Sequence, residues 1–592
     1  MGFLTWYGGK HGDMEKLLAP LDGDKNFCGY SAGFEKYDKL YISDFSNSLD
    51  FDAIFDSAIC VSECPKEDTL VVDCKTTSHV KACAFRKDQR YDSKPSGMGF
   101  CVPVSIDALP DNFKEGWRNA MDVFQQSSVG RYFNDMYLSS RAIYWSMAMA
   151  FVYCFIYIYL MSAFAEPIAW ICVGLIQLGL IGASVACFFI RKHLIQNNPD
   201  AEENLGSGDP SNWSTNQSLN SDIIKNEKMY LAGCIFFAIA ALIFFCLICC
   251  GFRSLKLAID VIDASADFLA GTKRIILVPI FYFFLTLIVV LIWSGGMAAV
   301  VSMNEIEAGD GIQEKDLTWK KNVVYMALYM LFGILWITAW LEYTSTFVVM
   351  VSASTYYFNS GPNNEGAAEV SEGFKMAYLY HCGSIACGAF VIAIIRFIRI
   401  VFYYLAKQAE KASGDNQAVK LIVSCANCIL NCIEKFVDYI NESAFAYMAV
   451  SGDSFCSSSW NGFLLNVKHL LKFQFANTIA KVFIFLGKIA IVVGNCFSLY
   501  FIMDKITHDT EEVSSLLGPM VVVAIVSYIT ASIFLGLFDT AVLALMTCLA
   551  VDMDMNDGHP QFGPPTFHDS IEKIDQGRQG NYTVQEAADM EE

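Results

Sequence analysis

The 592-residue chain is 54% hydrophobic and only 17% charged, with a mean hydropathy of +0.38, which is more apolar surface than a soluble protein of this length hides in ordinary cores. The excess must face lipid. The formal charge of -20 belongs to loops and tail, and without any clustered Lys/Arg run it excludes nucleic acid as a partner, because phosphate binding needs a basic face.

The opening MGFLTWYGG is apolar but too short to span a bilayer or to act as a signal peptide. Long polar tails translocate poorly without a preceding hydrophobic segment, so residues 1–8 read as the remnant of a first membrane helix, the rest of which is missing here. A true nine-span protein with an external N-terminus is the alternative. Residues 9–141 form a polar region with six cysteines, Cys28, Cys60, Cys64, Cys74, Cys83 and Cys101. An even count in a polar segment of a membrane protein implies a disulfide-stapled extracellular domain with as many as three bridges, in a pairing that spacing leaves open.

Nine windows of about 20 apolar residues, each able to cross a hydrocarbon core of about 30 Å, make up a transmembrane domain over 142–550. They lie near 142–163, 168–190, 229–250, 274–301, 323–357, 377–404, 421–450, 475–503 and 518–550. The window 323–357 is too long for one straight span and suggests a broken or re-entrant element. The window 421–450 is the weakest, because it carries Glu434, Lys435, Asp438 and Glu442. Loop 191–228 contains two glycosylation acceptor triplets, at Asn212 and Asn216, which are consistent with an external loop after two crossings. A third crossing then places 251–273 in the cytosol, where Arg253, Lys256, Lys273 and Arg274 obey the positive-inside rule. Within it, 253–270 reads as an amphipathic surface connector, with Asp260, Asp263 and Asp267 opposite an apolar face. Residues 396–420 resist this alternation, since they fall outside by counting yet are basic. The acidic segment 551–592 reads as a cytosolic C-terminal tail.

The run GKHGDMEKLLAPLDGDKNFCG (9–29) followed by AICVSECP (58–65), and later LKLAIDVIDASADFLAGTKRIILVP (255–279), YHCGSIACGAFVIAIIRFIRIV (380–401), CIEKFVDYINESAFAYMAVSGDSFC (432–456) and FDTAVLALMTCLAVDMDMNDG (538–558), resemble the landmarks of the choline transporter-like family. The resemblance covers nearly the whole chain. It implies an all-α polytopic membrane protein of about nine to ten transmembrane helices, with a disulfide-rich extracellular domain between its first and second helices and with cytosolic ends. It also implies choline or a related amine as substrate and the plasma membrane as residence.

Choline's trimethylammonium head has no N–H to donate, so a site must hold it with aromatic faces, worth about 0.5–2 kcal/mol each, and with a nearby carboxylate. Trp336, Trp340 and Tyr343 recur at spacings of four and three, which predicts a shared helix face beside Glu342. These four residues, with Asp539 in the last span, are the substrate-binding candidates. Glu434, Asp438 and Glu442 repeat every fourth residue and read either as a solvated face or as a cation path. Tyr380 and His381 open a span, where the imidazole is either a proton relay or a packed side chain. Cys425, Cys428 and Cys432 share a face but lack a fourth ligand at a recognisable spacing, so no metal is expected. No cofactor is implied either. There is no phosphate-cradling Gly-rich loop and no nucleophile elbow, which points away from an enzyme and toward facilitated diffusion or cation exchange. An ethanolamine transporter and a non-transporting receptor or scaffold acting through its ectodomain are the competing readings.

Overall fold

A computed structural model describes residues 1–42, 55–66, 73–75, 91–96, 99–104, 136, 139–196, 217–250, 252–309, 313–413, 417–504, 516–565 and 568. Cys83, Asn212, Asn216 and most of the acidic tail lie outside the described residues.

Eight helical segments are long and apolar enough to cross a membrane among the described residues, and together they match eight of the nine windows. Helix α1 (Gly2–His11) and the short α2 (Met14–Leu18) lead into the polar domain with its strands β1 (Lys39–Ile42), β2 (Ala58–Val61), β3 (Cys74–Lys75), β4 (Ser93–Pro95) and β5 (Cys101–Pro103). Helix α3 (Ser140–Gln196) holds two spans joined without a loop, because the backbone leaves the helical region at Phe164, just before Pro167. A proline at that place removes a helical hydrogen bond and sets the bend. Then come α4 (Gln217–Cys250), α5 (Phe252–Gly271), a 3-10 turn (Lys273–Ile276) and α6 (Leu277–Val301). A hairpin of β6 (Glu305–Ala308) and β7 (Lys315–Thr318) leads to α7 (Lys321–Asn359), α8 (Val370–Lys375), a π-turn (Met376–Tyr380) and α9 (Cys382–Ser413). The chain closes with α10 (Gln417–Ser451), α11 (Phe455–Lys468), α12 (Leu470–Ile502) and α13 (Leu517–Met555).

Two expectations change. The long window becomes one unbroken helix, α7, whose 39 residues extend roughly 58 Å at 1.5 Å per residue, so its excess projects beyond the hydrocarbon instead of folding back. The connector α5 is not laid on a membrane face. Its Leu255, Ile259, Ile262, Phe268 and Leu269 are buried in the central core with residues of α3, α12 and α13. Small side chains explain this, since Ala264, Ser265 and Ala266 are fully buried and let neighbouring helices approach closely.

Side-chain pairings fix the helix directions. Phe332 meets Phe397 and Phe347 meets His381, so α7 and α9 are antiparallel. Tyr343 bonds Asp438 and Phe347 meets Phe445, so α7 and α10 are parallel. Tyr357 bonds Asp552, which sets α13 alongside α7 in the same direction. Trp293 donates to the Met330 carbonyl at 3.0 Å where α6 and α7 run opposed.

In the polar domain, β1, β2 and β3 form an antiparallel sheet with Leu40 opposite Cys60. Disulfides join Cys28 to Cys60 and Cys64 to Cys101, and Cys74 is also disulfide-bonded. The rings of Tyr41 and Tyr91 stack beside the second bridge at 4.8 Å between centroids. On the surface of this domain Lys36 pairs with Asp73, and that ammonium together with the Tyr37 hydroxyl holds the Asp73 carboxyl below its ordinary range. The domain docks on the β6–β7 hairpin: Leu21 and Phe27 pack against Ile306, and the Gln313 amide exchanges two hydrogen bonds with the Leu21 backbone, at 2.8 and 2.6 Å. Helix α1 lies along α6, with Gly8 so close to Ala299 that an added Cβ would sit 2.8 Å from its backbone. The opposite end of the bundle is closed by the segment after α13, where the Phe562 and Gly563 amides donate to Asp552 and to the Tyr357 carbonyl.

Candidate functional site

The four-residue repeat on α10 divides into two environments. At its upper part, Glu434 and Asp438 face α9, and Arg396 reaches into the group from there. Its guanidinium lies 3.3 Å from Glu342, 3.6 Å from Glu434 and 3.7 Å from Asp438. Arg399 pairs with Glu434 as well. Tyr343 donates to Asp438 at 2.7 Å, and the buried Asn441 amide donates to the Tyr343 hydroxyl and to the Gly388 carbonyl, each at 3.2 Å. Gly388 permits that approach, since a Cβ there would meet the rings of Phe445 and Phe455 at 2.6 and 2.8 Å. Charges that are costly in hydrocarbon are thus matched against one another, which explains how α10 packs among the spans although it is too polar to be counted with them.

One turn further along, the environment changes. Glu442 and Asp539 line a cavity of about 80 Å³ between α7, α10, α12 and α13, together with Tyr439, Phe473, Asn477 and Thr346. Neither carboxylate is in an ion pair among the described residues. Lys481 of α12 acts through space on both carboxylates and Lys488 on Asp539, while Glu442 also feels Asp539, Asp438 and Glu342. Glu342, Thr346 and Met350 form one stripe of α7 at four-residue spacing, and the Thr346 hydroxyl donates to the Glu342 carbonyl at 3.1 Å. The ion-paired group therefore sits at one end of the cavity, a helical turn away.

The aromatic candidates go to different neighbours. Trp336 donates its indole N–H to the Ala386 carbonyl at 3.0 Å and packs edge-on to Phe390 at 5.2 Å. Trp340 meets the edge of Tyr378, which shares a 2.8 Å hydrogen bond with Tyr282, and the buried Trp340 indole nitrogen has no hydrogen-bond partner among the described residues. Tyr343 turns toward Asp438, Asn441 and Phe445. No ring contact joins the three among the described residues. The structure instead brings together Asp539, Glu442, Tyr439 and Phe473. The signal for Glu442 was the continuation of the acidic repeat past Asp438, whereas nothing in the sequence pointed to Tyr439 or Phe473. His381 is buried against Phe347. Cys425, Cys428 and Cys432 are exposed, and no metal-holding group of side chains occurs among the described residues.

A polytopic helical bundle with a disulfide-bonded domain on one end and a small acidic cavity between its spans is the architecture of an integral membrane transporter. A family profile described as plasma-membrane choline transporter matches residues 235–554, more than half of the chain, so the chain belongs to the choline transporter-like family, whose members are transporters and not enzymes. It is 23% identical to choline transporter-like protein 1 of Xenopus laevis, over 95% of this chain and 88% of the relative. It is 25% identical to choline transporter-like protein 2 of Dictyostelium discoideum, over 71% of this chain and 64% of the relative. With choline transporter-like protein 3 of Homo sapiens it shares 24% identity over 54% of this chain and 47% of the relative.

Proposed function

We propose that this chain carries choline or a related small organic cation across the plasma membrane, binding it in the cavity between α7, α10, α12 and α13. The observation that carries this reading is the pair of carboxylates, Glu442 and Asp539, that line one cavity without a bonded counter-ion among the described residues. Two anions in a low-dielectric setting repel each other and favour a cation between them. The rings of Tyr439 and Phe473 add the faces that a quaternary ammonium needs, and Thr346 and Asn477 can bond its hydroxyl. At about 80 Å³ the cavity must widen to admit this substrate, since ligand sites usually measure about 300–1,000 Å³.

Arg396 then has a role. Bonded to Glu342, Glu434 and Asp438, it closes one end of the cavity with a resident cation, and an arriving substrate competes with it for the same field. Tyr343 and Glu342 belong to this closing layer, Trp340 packs against Tyr378 outside it, and Asp539 belongs to the binding layer. Movement is facilitated diffusion down the gradient and potential, or exchange against another cation. The disulfide-bonded end faces outward, and α10 crosses between α9 and α12, which restores the alternation that residues 396–420 disturbed: Arg396 and Arg399 are consumed by ion pairs and do not act as loop charges.

The test is radiolabelled choline uptake in a choline-uptake-deficient host, comparing wild type with Glu442→Gln and Asp539→Asn at matched surface expression. Loss of uptake in both variants supports the site. Wild-type uptake at background level would remove choline as substrate, and ethanolamine competition then separates the amines.

A further inference from the structure

A second, larger cavity of about 990 Å³ opens at the end of the bundle away from the disulfide-bonded domain, where the start of α6, the end of α7 and the segment before α8 meet. Its charges are sorted. Lys273 and Arg274, both exposed, stand on the 3-10 turn where the chain enters its span, and Asp267, Glu365 and Glu369 stand on other lining elements. No ion pair joins the two sets among the described residues. Tyr356, only 4% exposed, also lines the cavity, and its buried hydroxyl has no hydrogen-bond partner among the described residues and lies within the field of Glu365, Asp267 and Asp263. A buried hydroxyl left unbonded costs about 1–3 kcal/mol, which a bound donor would recover. Glu365, although exposed, adds to this: partial desolvation at the cavity wall and the neighbouring Asp267 push its carboxyl above the ordinary range, a condition that a bound cation would relieve.

We propose that this cavity binds the headgroup of a membrane phospholipid carrying a primary amine. Its phosphate lies on Lys273 and Arg274, and its ammonium lies between the carboxylates and the Tyr356 hydroxyl. The two cations suit a phosphodiester at the depth where lipid phosphates sit. Three carboxylates repel a headgroup of net negative charge, so the ligand is zwitterionic. The unbonded Tyr356 oxygen accepts an N–H, which a primary ammonium offers and a trimethylammonium does not. A free amino-phosphate ester would satisfy the same polar groups. The lipid is favoured because Leu277 and Phe281, which line the cavity, continue as the exposed stripe Phe284 and Ile288 along the lipid-facing side of α6, a track for an acyl chain.

The experiment is native mass spectrometry of the full chain released from mixed micelles containing equal amounts of phosphatidylethanolamine, phosphatidylcholine and phosphatidylglycerol. Retention of phosphatidylethanolamine over the other two by about tenfold is expected, the worth of one hydrogen bond to a charged group. Tyr356→Phe, which keeps the ring, and Glu365→Gln, at an exposed position, should each erase the preference over phosphatidylcholine. The double change Lys273→Ala with Arg274→Ala should reduce retention of all three lipids. Equal retention of the three by wild type, preference for phosphatidylglycerol, or an unchanged preference in Tyr356→Phe would overturn the proposal. Full displacement of the lipid by soluble phosphoethanolamine at equal concentration would also overturn it, by assigning the pocket to a free ester.

Discussion

The two acidic groups on α10 are built from the same residue type at the same spacing, yet they meet opposite fates. Glu434 and Asp438 are matched by Arg396 and Arg399 across the α9 interface, whereas Glu442, one turn on, faces Asp539 over a cavity. A carboxylate stripe among membrane helices is thus not one feature. Its meaning is set by what the neighbouring helix presents, a guanidinium in one case and another carboxylate in the other. The first arrangement holds helices together, and the second is the one proposed above to take a cation from outside the chain.

The largest expected effect comes from removing the match. Arg396→Leu leaves Glu342 and Asp438 without their cation, at a cost on the order of 3 kcal/mol, and should appear as loss of folded protein in fluorescence size-exclusion profiles. Exchanging the partners, Arg396→Glu with Glu434→Arg, should recover part of that loss, and failure to recover any would show that geometry and not charge balance is at stake. Glu442→Gln and Asp539→Asn should behave the other way, leaving the elution profile intact while lowering choline uptake tenfold or more, about 1.4 kcal/mol. If these two variants instead lost folded protein and Arg396→Leu lost only uptake, the assignment of the two groups would be reversed. The smallest effect is expected from Tyr343→Phe, which deletes the hydrogen bond to Asp438 and the weaker one from Asn441, whose amide keeps the Gly388 carbonyl, at a cost of about 1–2 kcal/mol, read as a modest fall in melting temperature.

Much of this was legible from hydropathy and little of it from residue identity. Eight spans match apolar windows because a helix exposed to lipid must be apolar whatever its neighbours are. Helix α10 was the weakest of the nine windows by that logic, since its charges are matched by α9 and only tertiary structure supplies the partner. The same limit explains α5: Asp260, Asp263 and Asp267 looked like a wet face, yet Asp267 accepts a 2.7 Å hydrogen bond from Ser162 and the helix lies in the core. The cysteines of the polar domain were recognisable as a set, but the pairing of Cys28 with Cys60 follows from strands that sequence did not locate. For Trp336, Trp340 and Tyr343 the helical spacing was right, but a shared face does not mean a shared neighbour when indoles and phenols reach several ångströms to either side. Asp539 was named from its isolation in an apolar run, and Glu442 was hidden in a repeat that read as one stripe.

The grip of the outer domain on the β6–β7 hairpin has a mechanical corollary. Leu21 is tied to Gln313 and Leu17 to Lys315 by hydrogen bonds between residues almost three hundred positions apart, while α1 lies along α6, the helix that feeds that hairpin. A tilt of α6 is therefore a tilt of the whole disulfide-bonded cap, which works as a lever arm on the outer surface. An antibody fragment clamping that cap would act as a brake on the helices beneath it without ever touching the cavity.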